Sequence, residues 1–173
     1  MVGDTESLIA LISKSITYEI SNIAESVEEL IWYPILRFTV LEFTMGLQKD
    51  CIWVLEGKNG LRVLDSPDKF WCLVSLLEQP FNDIKKEVTA FLGNLRVTVN
   101  PDDFFPFIEI IQAGFRFGTK YWAELAFNWY VEIPPEKKMY FKESLVIIEN
   151  AKWASQKLRQ MARKELKLLS GFK

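Results

Sequence analysis

Four prolines, Pro34, Pro67, Pro101 and Pro135, recur every 33 or 34 residues along the chain, and proline at a fixed period limits where helices can begin. Three of them open similar phrases: Ser66-Pro67-Asp68, Asn100-Pro101-Asp102 and Pro134-Pro135-Glu136. Each phrase predicts a helix start, because proline suits the first helical position, where no N–H is needed, and the carboxylate complements the helix dipole. A period in the thirties is the mark of stacked helical hairpins. The ladder therefore predicts a mainly α fold: a short stack of antiparallel helical hairpins, α-solenoid-like, within a single domain spanning residues 1–173.

Sliding the chain by one period lays residues 66–97 on residues 100–131. Pro67, Asp68, Phe70, Phe81, Lys86, Asn94 and Val97 then meet identical residues at Pro101, Asp102, Phe104, Phe115, Lys120, Asn128 and Val131. Most of these positions fall at helix starts and on apolar faces, where stacking would need them. The divisions that follow are an N-terminal helix (1–33), a degenerate unit (34–66), a repeat unit (67–100), an aromatic-rich repeat unit (101–134) and a C-terminal helical cap (135–173).

In the first unit, Asn82-Asp83-Ile84-Lys85-Lys86-Glu87-Val88-Thr89-Ala90-Phe91-Leu92-Gly93-Asn94-Leu95 resembles the second helix of a HEAT-like repeat. In that family an acidic residue and an aliphatic-basic pair lead through a small-aliphatic stripe to a leucine-glycine ending. The resemblance covers one unit and implies a helical-hairpin stack. Residues 116–130 depart from it, with Tyr121 and Trp122 where small or aliphatic side chains are usual.

Toward the N-terminus, Leu8, Ile12, Ile16, Ile20, Ile23, Val27 and Leu30 recur every three or four residues, the stripe of an amphipathic helix capped at Asp4 or Thr5 and ending before Pro34. Between Ile35 and Leu47 two readings compete. Phe38, Val40 and Thr44 favour a strand, while Leu36, Val40, Phe43 and Leu47 share a helical face, towards which the ladder tips the choice. Cys51–Leu55 and Leu61–Leu64 flank Gly57-Lys58-Asn59-Gly60, which predicts a small β-hairpin or irregular insertion near residues 50–65. Asp103 is the expected cap of the helix after Pro101, since Pro106 then falls in its first turn. Beyond Pro135 a helix runs towards Gly171, with a turn allowed at Glu149-Asn150-Ala151-Lys152.

The chain contains no histidine, which removes serine–histidine and cysteine–histidine nucleophiles and histidine zinc sites. Neither a nucleotide-binding glycine pattern nor a metal-ligand spacing occurs, so no catalytic, cofactor-binding or metal residue is assigned and no cofactor is expected. Asp102 and Asp103 form a visible carboxylate pair, explained by the helix start. Cys51 and Cys72, each in an apolar stretch, read as small buried thiols and favour a reducing, cytoplasmic setting. No signal peptide is read at the N-terminus, and Arg37 and Glu42 argue against a membrane span over residues 30–47. With a pI near 5.4, nucleic acid is not an expected partner. Acidic residues gather before Leu30 and basic ones between Lys152 and Lys173, read as solvated helix faces; the basic helix offers at most an anionic-surface contact.

Ten aromatic residues lie between Phe104 and Tyr130. On a helical wheel Leu125, Ala126 and Trp129 project with Trp122, whereas Phe127 and Tyr130 define a second apolar side beside Ala123. Two outcomes follow: both sides are covered, or Phe115, Phe117, Tyr121, Phe127 and Tyr130 form a partner- or ligand-binding surface. The function expected is a non-catalytic protein–protein interaction module, an adaptor, regulator or homo-oligomer. The alternatives are a binding protein for an apolar or aromatic small molecule and an enzyme built on carboxylates.

Overall fold

The computed structural model describes residues 2–171, with side chains described from Leu8 onward. The chain divides into two compact units: unit 1 takes residues up to Lys69 with Lys85–Phe104, and unit 2 takes Phe70–Ile84 with the residues from Phe105 on. The capping roles expected of Asp4 and Thr5, and the Lys173 end of the basic run, lie outside the described side chains.

A helical stack is not what forms. Helix accounts for 55% of the chain, but the 18% in strands makes one curled, five-stranded antiparallel sheet, so the solenoid expectation is overturned. In unit 1, helix α1 (Val2–Ser15) is followed by β1 (Glu19–Asn22), β2 (Glu29–Phe38), β3 (Phe43–Leu47), β4 (Trp53–Gly57) and β5 (Gly60–Val63), paired in sequence order. The long N-terminal helix is thus cut at Ser15, because the residues after it, Ile16-Thr17-Tyr18, are β-branched or aromatic and prefer the pleated surface. Val27, expected on the buried stripe, lies in the β1–β2 connection and is 95% exposed. Ile20 pairs with Ile31 across β1 and β2, and both are exposed.

Pro34 marks no helix start. It sits within β2 where the register with β3 shifts between Pro34 and Leu36, a bulge that accommodates a residue without an N–H. Residues 35–47, which the ladder tipped towards a helix, give the end of β2 and all of β3. All five residues of β3 are buried, so both faces are covered and no period-two alternation marks the strand. The runs about Gly57–Gly60 become β4 and β5, joined by the two-residue turn Lys58-Asn59, two of five strands and not an insertion. The sheet curls so that the Ala24 N–H donates to the Leu61 carbonyl at 2.8 Å and Ile23 bridges Leu61, bringing the chain after β1 against β5.

Trp32, Val54 and Leu61 form the core of the concave face. The Trp32 ring lies on β3 at Gly46, where an added Cβ would collide with that ring and with the Tyr33 carbonyl oxygen. Unit 1 also holds the later part of α2 (Phe81–Asn94) and the one-turn α3 (Pro101–Phe104). Phe104 meets Trp53 edge-on at 5.4 Å and stacks on Phe91 at 5.9 Å. Lys85 and Asp102 pair at 2.7 Å, so the visible carboxylate pair divides into an ion-paired Asp102 and an exposed Asp103.

In unit 2 the apolar side of a 3₁₀ segment, Pro67–Glu78, enters the core through Leu73, Val74, Leu76 and Leu77. There follow α4 (Phe107–Arg116), α5 (Lys120–Tyr130), a second 3₁₀ segment (Pro135–Phe141), α6 (Lys142–Asn150) and α7 (Gln156–Gly171). Pro101 and Pro106 both stand at helix starts: Pro101 opens α3 and Pro106 occupies the N-cap position of α4 with no side-chain capping bond, so Asp103 is not the cap. Gly114 lets α4 approach α5, since a Cβ there would meet Ala126 at 2.9 Å. The final helix is broken at residues 151–155, overlapping the turn that Glu149–Lys152 allowed. Pro67, Pro101 and Pro135 do open helical segments, but of unequal kinds: two 3₁₀ stretches and a single turn. A proline specifies a local start and says nothing of what the helix packs on.

Candidate functional site

Five residues were expected to form a binding surface in the aromatic-rich stretch, and unit 2 divides them. Phe115, Phe127 and Tyr130 are interior, joined with Phe141 in one ring cluster at centroid distances from 4.9 to 6.1 Å. Such edge-on and tilted contacts suit the ring quadrupoles. The Tyr130 hydroxyl donates to Glu165 Oε2 at 3.1 Å, and Lys138 Nζ stands 4.8 Å from its ring centroid. Burial first, then the Glu165 charge and hydrogen bond, push the Tyr130 phenol far above its ordinary range. It is a neutral hydrogen-bond donor within a core.

Phe117 and Tyr121 lie outside, 44% and 54% exposed. They flank the tight α4–α5 connection, where Gly118 takes a left-handed φ of 74° and the Thr119 side chain accepts from the Trp122 N–H to cap α5. Trp122 is the hinge of the group: Phe117 meets it edge-on at 5.9 Å and Tyr121 at 4.9 Å. Glu78 Oε1 accepts from the Tyr121 hydroxyl at 2.7 Å, and this bond, with burial and the Glu78 charge, raises the phenol's pKa. Two exposed rings are therefore held in fixed orientations by a capped turn, a tryptophan and a carboxylate.

A second candidate, not read in the sequence, lies in unit 1. A cavity of about 340 Å³ is lined by Arg37, Phe38, Glu42, Phe43, Thr44 and Glu56, among others. Register places Thr44 opposite Arg37 on one side and opposite Glu56 on the other, so the three side chains form a row across β2, β3 and β4. Ser21 donates its hydroxyl to Glu56 Oε1 and accepts from the Trp32 indole N–H at 3.1 Å. At the rim Lys58 pairs with Glu42 at 2.5 Å. No spacing in the sequence could have brought these residues together, because strand register does so.

Among the described residues no group of three or more His, Cys, Asp or Glu is placed to hold a metal ion, and no helix is long and apolar enough to cross a membrane. Neither Cys51 nor Cys72 forms a disulfide, and both are half-buried, more open than the small buried thiols expected. Cys51 sits in the β3–β4 turn with a left-handed φ of 62°, its thiol pKa raised by burial and by Asp50. No protein-family model, curated protein or solved structure matches this chain.

Proposed function

We propose that the protein is a non-catalytic interaction module that binds another protein through the aromatic corner at the α4–α5 turn. The observation that carries this reading is the pair Phe117 and Tyr121, large and half-exposed yet fixed against Trp122 and Glu78. Aromatic residues dominate the energetics of protein interfaces, and rings already held in place lose little conformational freedom on binding. Phe115, Phe127 and Tyr130 are buried and take no part in this surface. The unbridged cysteines fit a reducing compartment, so the cytoplasm is the proposed setting.

Photo-crosslinking tests the reading. A benzoylphenylalanine replacing Phe117, irradiated in extract of the native cell, should give a discrete protein adduct that is lost when Tyr121→Ala is added. A second copy of the chain in that adduct would make the partner a homo-oligomer. Equal adducts from position 117 and from position 40, where Val40 is exposed in unit 1, would contradict the proposal.

A further inference from the structure

The polar row in unit 1 ends the concave face of the sheet. One step along the strands from Thr44 and Glu56 lie Gly46, covered by the Trp32 ring, and Val54, so the row stands at the mouth of an apolar interior. Mouths of curled and closed sheets are common places for small-molecule sites, and about 340 Å³ lies at the small end of the ~300–1,000 Å³ that ligand pockets occupy. Neighbouring strands are about 4.8 Å apart, which puts the strand positions of Arg37 and Glu56 about 10 Å apart with Thr44 between them.

The charges at this mouth are unequally committed. Glu42 is taken by Lys58. Glu56, which lines the cavity, accepts from the Ser21 hydroxyl at Oε1, a neutral donor that leaves its negative charge unbalanced. Thr44, buried, contributes a hydroxyl at the centre. Arg37 is exposed along the cavity and makes no ion pair among the described residues. A simple anion would meet Arg37 favourably and Glu56 unfavourably, and a simple cation the reverse. A molecule carrying both charges satisfies both, since a guanidinium offers paired donors to a carboxylate and a carboxylate accepts from an ammonium.

We propose that this cavity binds a small zwitterion of the amino-acid class. The ligand carboxylate takes the Arg37 guanidinium, the ammonium faces Glu56 across Thr44, and the apolar side chain occupies the rest of the cavity, whose lining includes Phe38 and Phe43. The assignment is independent of the aromatic corner in unit 2.

Titration calorimetry with L-phenylalanine, phenylacetate and phenethylamine separates the two charges. Wild-type protein should bind L-phenylalanine about tenfold more tightly than either singly charged analogue, the size of one charge-assisted contact of about 1.4 kcal/mol. Arg37→Gln, at an exposed position, should lower phenylalanine affinity about tenfold with an unchanged thermal midpoint, and Arg37→Lys should restore part of it. Glu56→Gln should erase the preference over phenylacetate. No measurable binding of phenylalanine to wild type, equal binding of phenylacetate, or an Arg37→Gln variant that binds phenylalanine as wild type does would each overturn the proposal.

Discussion

In unit 1 a buried tryptophan, Trp32, lies on a glycine; in unit 2 a buried tyrosine, Tyr130, lies among Phe115, Phe127 and Phe141 with its hydroxyl on Glu165. The sheet makes room for a large ring by deleting a Cβ, and the helical unit fills the space between helices with rings set edge-on to one another. The two regions should therefore fail in opposite ways: the sheet when an atom is added, the helical unit when a ring is removed. Their surfaces differ too. Unit 1 gathers charges in a row at the mouth of its cavity, whereas unit 2 presents two oriented aromatic rings.

The largest expected effect is ring removal. Phe127→Ala should destabilise the protein by about 3–5 kcal/mol, because the ring is 1% exposed and touches both Phe115 and Tyr130. Urea denaturation measures it, and a loss near zero would place this ring outside the core. Adding one methyl group in the sheet comes next. Gly46→Ala should cost about 1–3 kcal/mol, since both the Trp32 ring and the Tyr33 carbonyl oxygen occupy the space a Cβ needs. A neutral result would separate the Trp32 ring from β3 and remove the contrast between the units.

Tyr130→Phe keeps the ring and deletes only the bond to Glu165, so about 1 kcal/mol should be lost near neutral pH. Its pH dependence has a definite sign. The folded-state pKa of Tyr130 is raised above the unfolded value of about 10, so the stability linked to it is complete below that pH and is lost as pH rises towards the folded value. Wild type should thus weaken above about pH 10 more steeply than Tyr130→Phe, as followed by melts in alkaline buffers. Smallest of all, Phe117→Ala should change stability by no more than about 0.5 kcal/mol, because the side chain is 44% exposed, while still weakening association.

Helix α2 was legible in the sequence because its apolar stripe, Ile84, Val88, Phe91, Leu92 and Leu95, is local and one-sided; Ile84, Val88 and Leu92 are buried and Phe91 and Leu95 half-buried. The sheet was not. With β3 buried on both faces, Phe43–Leu47 carries no alternation, and Leu36, Phe43 and Leu47 match a helical face as well as they match a strand. Matching proline phrases suggested repeats because proline and an acidic residue suit any helical start, 3₁₀ or α. In the aromatic stretch the sequence showed two apolar sides on α5 but could not say which was covered. Interior Tyr130 and exposed Tyr121 differ through Phe141 and Glu165 for one and Glu78 for the other, all distant in sequence. The row Arg37, Thr44 and Glu56 had no local signature, since only the pairing of three strands assembles it.

The pairing of that row tests the sheet most directly. Nuclear Overhauser contacts measured on labelled protein should connect Thr44 with both Arg37 and Glu56, across β2, β3 and β4. Helical contacts between residues three apart through 35–47, with no cross-strand contact at Thr44, would contradict the sheet and the cavity built on it.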